Sequence, residues 1–425
     1  MKQKRIFIMP DQVTFSDDYQ GSIKISVVSA IGLIPVENAT VTISYTGDPE
    51  APLEVLTTDS SGQTPIITLP APPLDLSLTP QPDAQPYSEY NIMVNAEGYE
   101  PVFVSGSEIL ANEVSLQPIR MNPLIAEEDE RVVIIPAHTL FGEYPPKIPE
   151  DEIKPMDESG EIVLSRVVIP EYIIVHDGVP DDPTAPNYWV RYKDYIKNVA
   201  SCEIYSTWPE SSIYANILAI QSFTLNRVYT EWYRNQGYNF TITSSTAYDQ
   251  KWVYGRNIFE NIDRLVDSVF ANYLSRPGVR QPIFTSYCDG QRVTCSGLSQ
   301  WGSKYLGDEG YSAIEILRYY YGNDMFINTA ELISGVPSSF PGYDLNIGAA
   351  GDKVRQLQTQ LNRIARNYPA IPTITPDGIY GPATAESVRT FQGIFNLPQT
   401  GITDYPTWYE ISDIYVGVTR IAEPE

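Results

Sequence analysis

The stretch "NVASCEIYSTWPESSIYANILAIQSFTLNR", residues 198–227, carries one carboxylate, Glu203, beside a thiol, Cys202, on the apolar side of a helical pattern. Glu203 lies four residues after Val199 and seven after Ile196, a spacing that stacks the three along one helix face. At the margin of an apolar stripe the charged form of a carboxyl group is disfavoured, its pKa rises, and it can deliver a proton near neutral pH. The spacing alone equally allows a plain solvated helix carboxylate, and it does not give the depth of burial. The nearest competing acids are Glu210 and Asp249, the latter in "AYDQ". A nucleophile relay or a hydrolytic zinc site needs imidazoles close by. The chain has two, His138 and His176, both upstream in segments rich in proline and β-branched residues. Relay and zinc chemistry are thereby disfavoured, and Cys202, with no histidine in its own domain to activate it, reads as core.

The elements that must hold Glu203 read as α+β over residues 187–335. "YWVRYKDYIKNVASCEIY" places Tyr192, Tyr195/Ile196, Val199 and Cys202 at helical period. Pro209 marks the entry of a longer helix with Ile213, Ile217, Ile220, Thr224 and Val228 on one stripe and Leu218, Leu225 and Trp232 on another. A helix apolar on two sides belongs at the centre of its domain. "IFENIDRLVDSVFANYL" is amphipathic, and "SAIEILRYYYG" reads as a helix stopped by Gly322. "QPIFTSYCDGQRVTC" suggests a strand and turn, in which Cys288 and Cys295 could close a loop or stay reduced.

Around this region lie three others. Residues 1–120 alternate in "SIKISVVSA" and "ATVTISYTG" and turn at glycines in "TTDSSGQTPIITLP" and "EYNIMVNAEGYEPVFVSG", the signature of a small all-β sandwich. Residues 121–186 are acidic and proline-rich, which predicts an extended connector with a few strand segments and exposure to proteases. In residues 341–425, Asp352 can cap a helix bearing Val354, Leu357, Leu361 and Ile364. Gly381-Pro382 then opens another bearing Thr384, Val388, Phe391 and Phe395, with the turn "PDGIYG" between them.

A chain of 425 residues is long enough for two or three cores. Its 53 acidic against 28 basic residues give a formal charge of −25, which argues against nucleic acid and anionic membrane surfaces as partners. The 30 tyrosines are a resource either for stacking on sugars or for filling strands and cores. The opening "MKQKRIFIMPDQ" is too short in apolar residues for an export signal, and no stretch approaches a membrane span.

Two ordered sets of motifs carry family resemblances. "GAAGDKVRQLQTQLNRI", "DGIYGPATAESVRTFQ" and "GITDYPTW" resemble the peptidoglycan-binding type 1 module, a small three-helix domain that docks on cell-wall glycan or stem peptide. "ASCEIYSTWPESSIYANILAIQSFTLNR" and "SGLSQWGSKYLGDEGYSAIEILRYYYG" resemble the SpoIID/LytB family of sporulation and amidase-enhancer proteins. Within it, the order of sandwich, central domain and binding module is similar to that of spore cortex-lytic enzymes, with "LNRVYTEWY", "GYNFTITSSTAYDQ" and "GRNIF" also fitting. The family's Cys/His pair is missing from "STAYDQKWVYG", the histidine of its glycine-rich motif is missing from "CSGLSQWG", and the arginine of its alanine-rich helix is Gln221. No metal or cofactor is therefore expected, nor amidase activity.

That resemblance implies an inactive precursor of a lytic transglycosylase, located in the cortex or coat region of a spore and acting on cortex peptidoglycan during germination. A subtilisin-like germination protease would cut it in "VLSRVVIPEY", near Arg166. Glu203 would be the single general acid/base, with Asp249 as the lesser catalytic candidate. Tyr205, Trp208, Tyr248, Gln250, Ser299, Gln300 and Trp301 would line the saccharide groove, Trp208 and Trp301 being equally placed to serve as core. The alternative is a non-catalytic wall-binding protein or an enhancer of another hydrolase.

Overall fold

The computed structural model describes residues 19–124, 131–142, 144–154 and 166–419. The opening twelve residues and the first three residues, 163–165, of the segment expected to be cut lie outside them. Alternation builds the first unit. In β1 (Gln20–Ser29) every second side chain is buried, so that Ile23, Ile25 and Val27 face inward. β2 (Thr40–Tyr45), β3 (Asp48–Thr57), β4 (Ile67–Pro70), a short helix α1 (Asp75–Leu78), β5 (Ser88–Asn95), β6 (Val102–Ile109) and β7 (Val114–Met121) follow. β8 (Arg131–Ile134) comes from the proline-rich segment and adds to β6 in parallel. The strands form two sheets, β3-β2-β5-β6-β8 and one containing β7-β1-β4, which share a core of Ile23, Val41, Ile92, Val104 and their neighbours.

The chain continues through β9 (Val168–Ile169), β10 (Tyr172–His176) and β11 (Asn187–Arg191) into α2 (Tyr192–Glu203) and α3 (Glu210–Tyr229). Then come β12 (Ile242–Thr243), β13 (Ile258–Phe259), α4 (Glu260–Val269), β14 (Asn272–Ser275), β15 (Tyr287–Cys288), β16 (Leu298–Ser299), α5 (Gln300–Asp308), α6 (Ala313–Tyr321), β17 (Phe326–Thr329) and β18 (Leu332–Ile333). α3, 20 residues and about 30 Å long, packs against α2, α4, α5, α6 and β14 and is the central helix its two apolar stripes predict. Each fully buried aliphatic or aromatic side chain on it contributes about 1.5–3 kcal/mol. Trp232, read as part of that helix, lies beyond its end and joins Tyr233 and Phe240 in a small satellite cluster. α6 ends at Gly322, whose φ of 90° a side chain would resist. Cys288 and Cys295 are joined as a disulfide.

The third unit holds α7 (Asp352–Ile364), α8 (Pro382–Ile394) and α9 (Tyr405–Thr419). Gly351, not Asp352, occupies the cap position of α7, and the Asp352 carboxylate instead pairs with Arg355. Two buried glutamines organise its turns alike. Gln358 accepts from the Gly378 amide and donates to the Ile379 carbonyl, while Gln392 accepts from the Gly401 amide and donates to the Ile402 carbonyl. Each satisfies backbone groups that would otherwise be stranded in the interior.

Neither flanking unit hangs on a flexible tether. β13, from the central region, pairs antiparallel with β7 and so extends the first unit's sheet. Just before it, Arg256 donates to Glu108 at 2.6 Å, and Asn257 exchanges hydrogen bonds with the Glu108 backbone. Burial outweighs the arginine and pushes the Glu108 carboxyl up to about 7. At the other end, Lys193 of α2 pairs with Asp267 of α4 and with Glu410 and Asp413 of α9, while Lys197 pairs with Asp263 and Asp267 of α4. The proline-rich segment also departs from its expected form. Residues 131–154 lie against the other units, and Val167, Ile169, Ile173 and Val175 enter the central core. Its prolines keep it extended, but its anchoring side chains find partners far away in sequence.

Removing one partner of a buried pair strands the other charge. Glu108→Ala, which leaves Arg256 enclosed, is expected to cost about 3–5 kcal/mol of stability by chemical denaturation. A loss below about 1 kcal/mol would mean that the pair does not join the two units.

Candidate active site

α2 ends at Glu203 because the next residue, Ile204, turns to extended backbone and leads into the loop that carries Trp208. The helix is enclosed by α3, α4, β11 and β13, so Glu203 sits deeper than the stripe margin its spacing suggests. Its side chain is 0% exposed. One oxygen accepts from the Lys251 amide at 2.6 Å and the other from the Gln300 side-chain amide at 3.0 Å. Burial raises its pKa, opposed by the charge of Lys147, by these two donors and by the Tyr287 hydroxyl, which leans toward it without full hydrogen-bond alignment. Burial wins, so the protonated form is favoured beyond the ordinary glutamate range. Around it, the Tyr144 hydroxyl, the Tyr287 hydroxyl and the Gln300 carbonyl oxygen are buried and find no partner among the described residues. Such groups tend to collect where a protein keeps polar capacity in reserve for a ligand or water.

The residues expected beside Glu203 divide sharply. Gln300, first residue of α5, touches it, and Ser299 caps that helix by accepting from the Gly302 amide, which orients Gln300. Gln250 accepts from Tyr195 and Thr224 and donates to the Ile220 carbonyl. It thereby locks α2 to α3 and sets the backbone that presents the Lys251 amide. Tyr205, Trp208 and Trp301 do not line an open groove. They are buried in one aromatic cluster, with Tyr205 stacked on His138 at 4.4 Å and the two tryptophans 4.9 Å apart. The Trp208 indole donates to the Ser77 carbonyl of the first unit. Their apolar bulk is what closes the interior above α3.

Asp249 is equally committed. Its carboxylate accepts from the Arg227 Nε, the Tyr233 hydroxyl, and the Thr243 amide and hydroxyl, at 2.7–2.9 Å. With all four donors in place the side chain is fixed and ties the loop after β12 to the end of α3. Tyr248 is half-buried on the same loop, and its carbonyl accepts from Arg227. Cys202 packs into the first unit's core with its thiol pushed up to about 12 by burial, which makes it inert. His138, also buried, is held neutral well below the usual imidazole range.

The sequence reading missed Lys147 and Tyr144 altogether. Both come from the proline-rich segment, where no local period signals a long-range contact. The Lys147 ammonium donates to the Asp249 carbonyl at 2.6 Å, lies 4.4 Å from the centre of the Tyr287 ring, and acts electrostatically on Glu203. Arg227 was missed for a different reason: nothing in a helix stripe reveals that its one cation is enclosed with two carboxylates, Asp249 and Glu150.

Because the folded-state pKa of Glu203 lies above the unfolded value of about 4.3, the stability linked to this group is fully present below that value and is lost as pH rises through the folded one. Carboxyl carbon NMR of Glu203 should give a midpoint above that of an unstructured glutamate. An ordinary midpoint would contradict the enclosed site.

Among curated proteins none matches this chain. Several solved structures show slight local likeness, and two illustrate it. One is the Bacillus anthracis TIE protein, 14% identical over 25% of this chain and 17% of that one, with a TM-score of 0.18. The other is GBS52, the minor pilin of Streptococcus agalactiae, 14% identical over 26% of this chain and 48% of that one, also with a TM-score of 0.18. This chain thus spans less than half the length of either protein, and neither likeness bears on its fold as a whole. At the other end, a recess of about 360 Å³ between α7, α9 and Pro337 is rimmed by Arg355, Gln356 and Tyr415. The unit around it supplies the family assignment: residues 350–411 match the family described as "Putative peptidoglycan binding domain", so the chain carries a peptidoglycan-binding domain at its C-terminal end.

Proposed function

We propose that the protein is a wall-lytic enzyme in precursor form, a lytic transglycosylase that acts on spore cortex peptidoglycan during germination, with Glu203 as its single acid/base. The observation that carries this reading is a fully buried carboxyl group with a raised pKa and unpartnered polar atoms around it, in a chain that also carries a peptidoglycan-binding domain. Protonated Glu203 would give its proton to the oxygen linking N-acetylmuramic acid to N-acetylglucosamine as the C1–O bond breaks. The resulting carboxylate would then take the proton of the muramyl C6 hydroxyl as that oxygen attacks C1, leaving a 1,6-anhydromuramyl end. Two ordinary requirements of such chemistry, a second carboxylate and an incoming water, both drop out. The Gln300 amide and the Lys251 amide would hold the carboxylate between the two proton transfers.

Activation would follow from a cut by a subtilisin-like protease near Arg166, which is exposed, whereas Val167 is tucked into the core. β9 pairs with β18 directly afterwards, so a new terminus at Val167 would be anchored from the start. N-terminal sequencing of processed protein should read from or close to Val167, and a start distant from it would refute this position.

Incubated with cortex fragments, the processed protein is expected to release anhydromuramyl muropeptides, detected by mass spectrometry. Glu203→Gln should lower the rate at least about 100-fold. Reducing muramyl ends in place of anhydro ends would assign a hydrolase instead, and full activity of Glu203→Gln would remove the acid from the mechanism. A second reading, a wall-binding protein without catalysis, is favoured by the complete enclosure of Glu203. It predicts co-sedimentation with insoluble peptidoglycan and no released product under any processing.

A further inference from the structure

Residues 144–154 cross the region of Glu203 as a strap whose anchors all point inward. Tyr144 is buried and feels the charge of Glu203. Lys147 sends its ammonium to the Asp249 carbonyl. Glu150 makes a two-pronged pair with Arg227, at 2.6 and 2.7 Å. Glu152 pairs in the same fashion with Arg276. Lys154 joins Glu150 at 2.6 Å and lies 3.7 Å over the Phe284 ring. Between these anchors, Pro145, Pro146 and Ile148 face solvent, so the segment lies at the surface with its anchors turned to the central region.

The strap is also clamped on both sides. Upstream, β8 is hydrogen-bonded to β6, and the Thr139 amide reaches the Cys202 carbonyl, one residue from Glu203. Downstream, β9 is hydrogen-bonded to β18. A segment fixed at two ends re-forms its contacts as an intramolecular event, at high effective concentration. One fixed at a single end pays far more ordering entropy for the same contacts.

The partners left behind can tolerate its departure. Arg227 keeps Asp249, and Asp249 keeps its side-chain donors, so no buried charge is stranded. The first unit, by contrast, is joined to the centre by β7–β13 pairing, by the buried pair of Arg256 and Glu108, and by the indole of Trp208, none of which a cut between residues 154 and 166 disturbs.

We propose that residues 144–154 are an occluding strap over Glu203, and that a cut between residues 154 and 166 opens the site by freeing the strap's downstream end while the first unit stays bound. The consequence of this occlusion for lysis rests on the reading of Glu203 given above.

The test uses the full chain with a specific protease sequence placed within residues 155–165. Reaction of Glu203 with a water-soluble carbodiimide and an amine, read by peptide mass, reports whether the carboxyl is reachable. Cutting is expected to raise the labelling rate at least tenfold while both pieces co-elute on size exclusion. Tyr144→Ala/Lys147→Ala in the uncut chain should give a similar rise while the melt, though at lower temperature, stays cooperative. If that variant fails to fold, the cut chain alone decides. Unchanged labelling after cutting would overturn the strap, as would labelling that rises only once the first unit has dissociated. A rise in labelling with no anhydromuramyl product would instead uphold the strap and remove the lytic reading. Lysis by uncut chain as fast as by cut chain would refute the strap directly.

Discussion

A carboxyl group sealed from water is the constraint around which the middle of this chain is arranged. Moving an ionised carboxylate into an apolar interior costs several kcal/mol, more than any one aliphatic side chain of α3 returns. Glu203 escapes that cost in part by favouring its protonated form, and in part through the donors trained on it. Those donors, a backbone amide at Lys251 and a side-chain amide at the start of α5, come from widely separated places, and the charge of Lys147 comes from a third, the segment before the central region. Each needs its own support. Gln250 fixes the first by tying its loop to α2 and α3, and Ser299 fixes the second by capping α5.

Charge placement elsewhere follows the same logic in reverse. Where the fold holds a carboxylate still, it surrounds it with hydrogen-bond donors, as at Asp249. Where it wants two units joined, it places cations on α2 opposite acids on α4 and α9. The chain's large negative charge makes this economical, since nearly every buried lysine or arginine has an acid within reach.

Much of the framework was legible in sequence because it depends on local period. The alternation of β1, the stripes of α2 and α3, and the stop at Gly322 are all set by neighbours a few residues away. The three-helix end was legible for the same reason, and because its glycine-bearing turns recur in order. Glu203 could be singled out, but its depth could not, since the walls around α2 come from β11, β13 and α4. Tyr205, Trp208 and Trp301 looked like a sugar platform because an aromatic ring suits a sugar and a core equally well, and only tertiary contact separates the two. Tyr144, Lys147 and Glu150 were opaque for a stronger reason. Their segment has the composition of a solvated connector, and its roles arise only from what lies beneath it.

The pairing of Lys193 with acids on α9 bears on scale. Lys193 sits on α2, the helix that ends in Glu203, and the ten residues from Lys193 to Glu203 span about 15 Å of helix. The wall-gripping unit and the buried acid are thus mounted on one short rod. On the lytic reading proposed above, a protein built so would not sweep a tethered head across its substrate; it would work at a fixed offset from its own point of attachment, and to reach the next position it would have to let go.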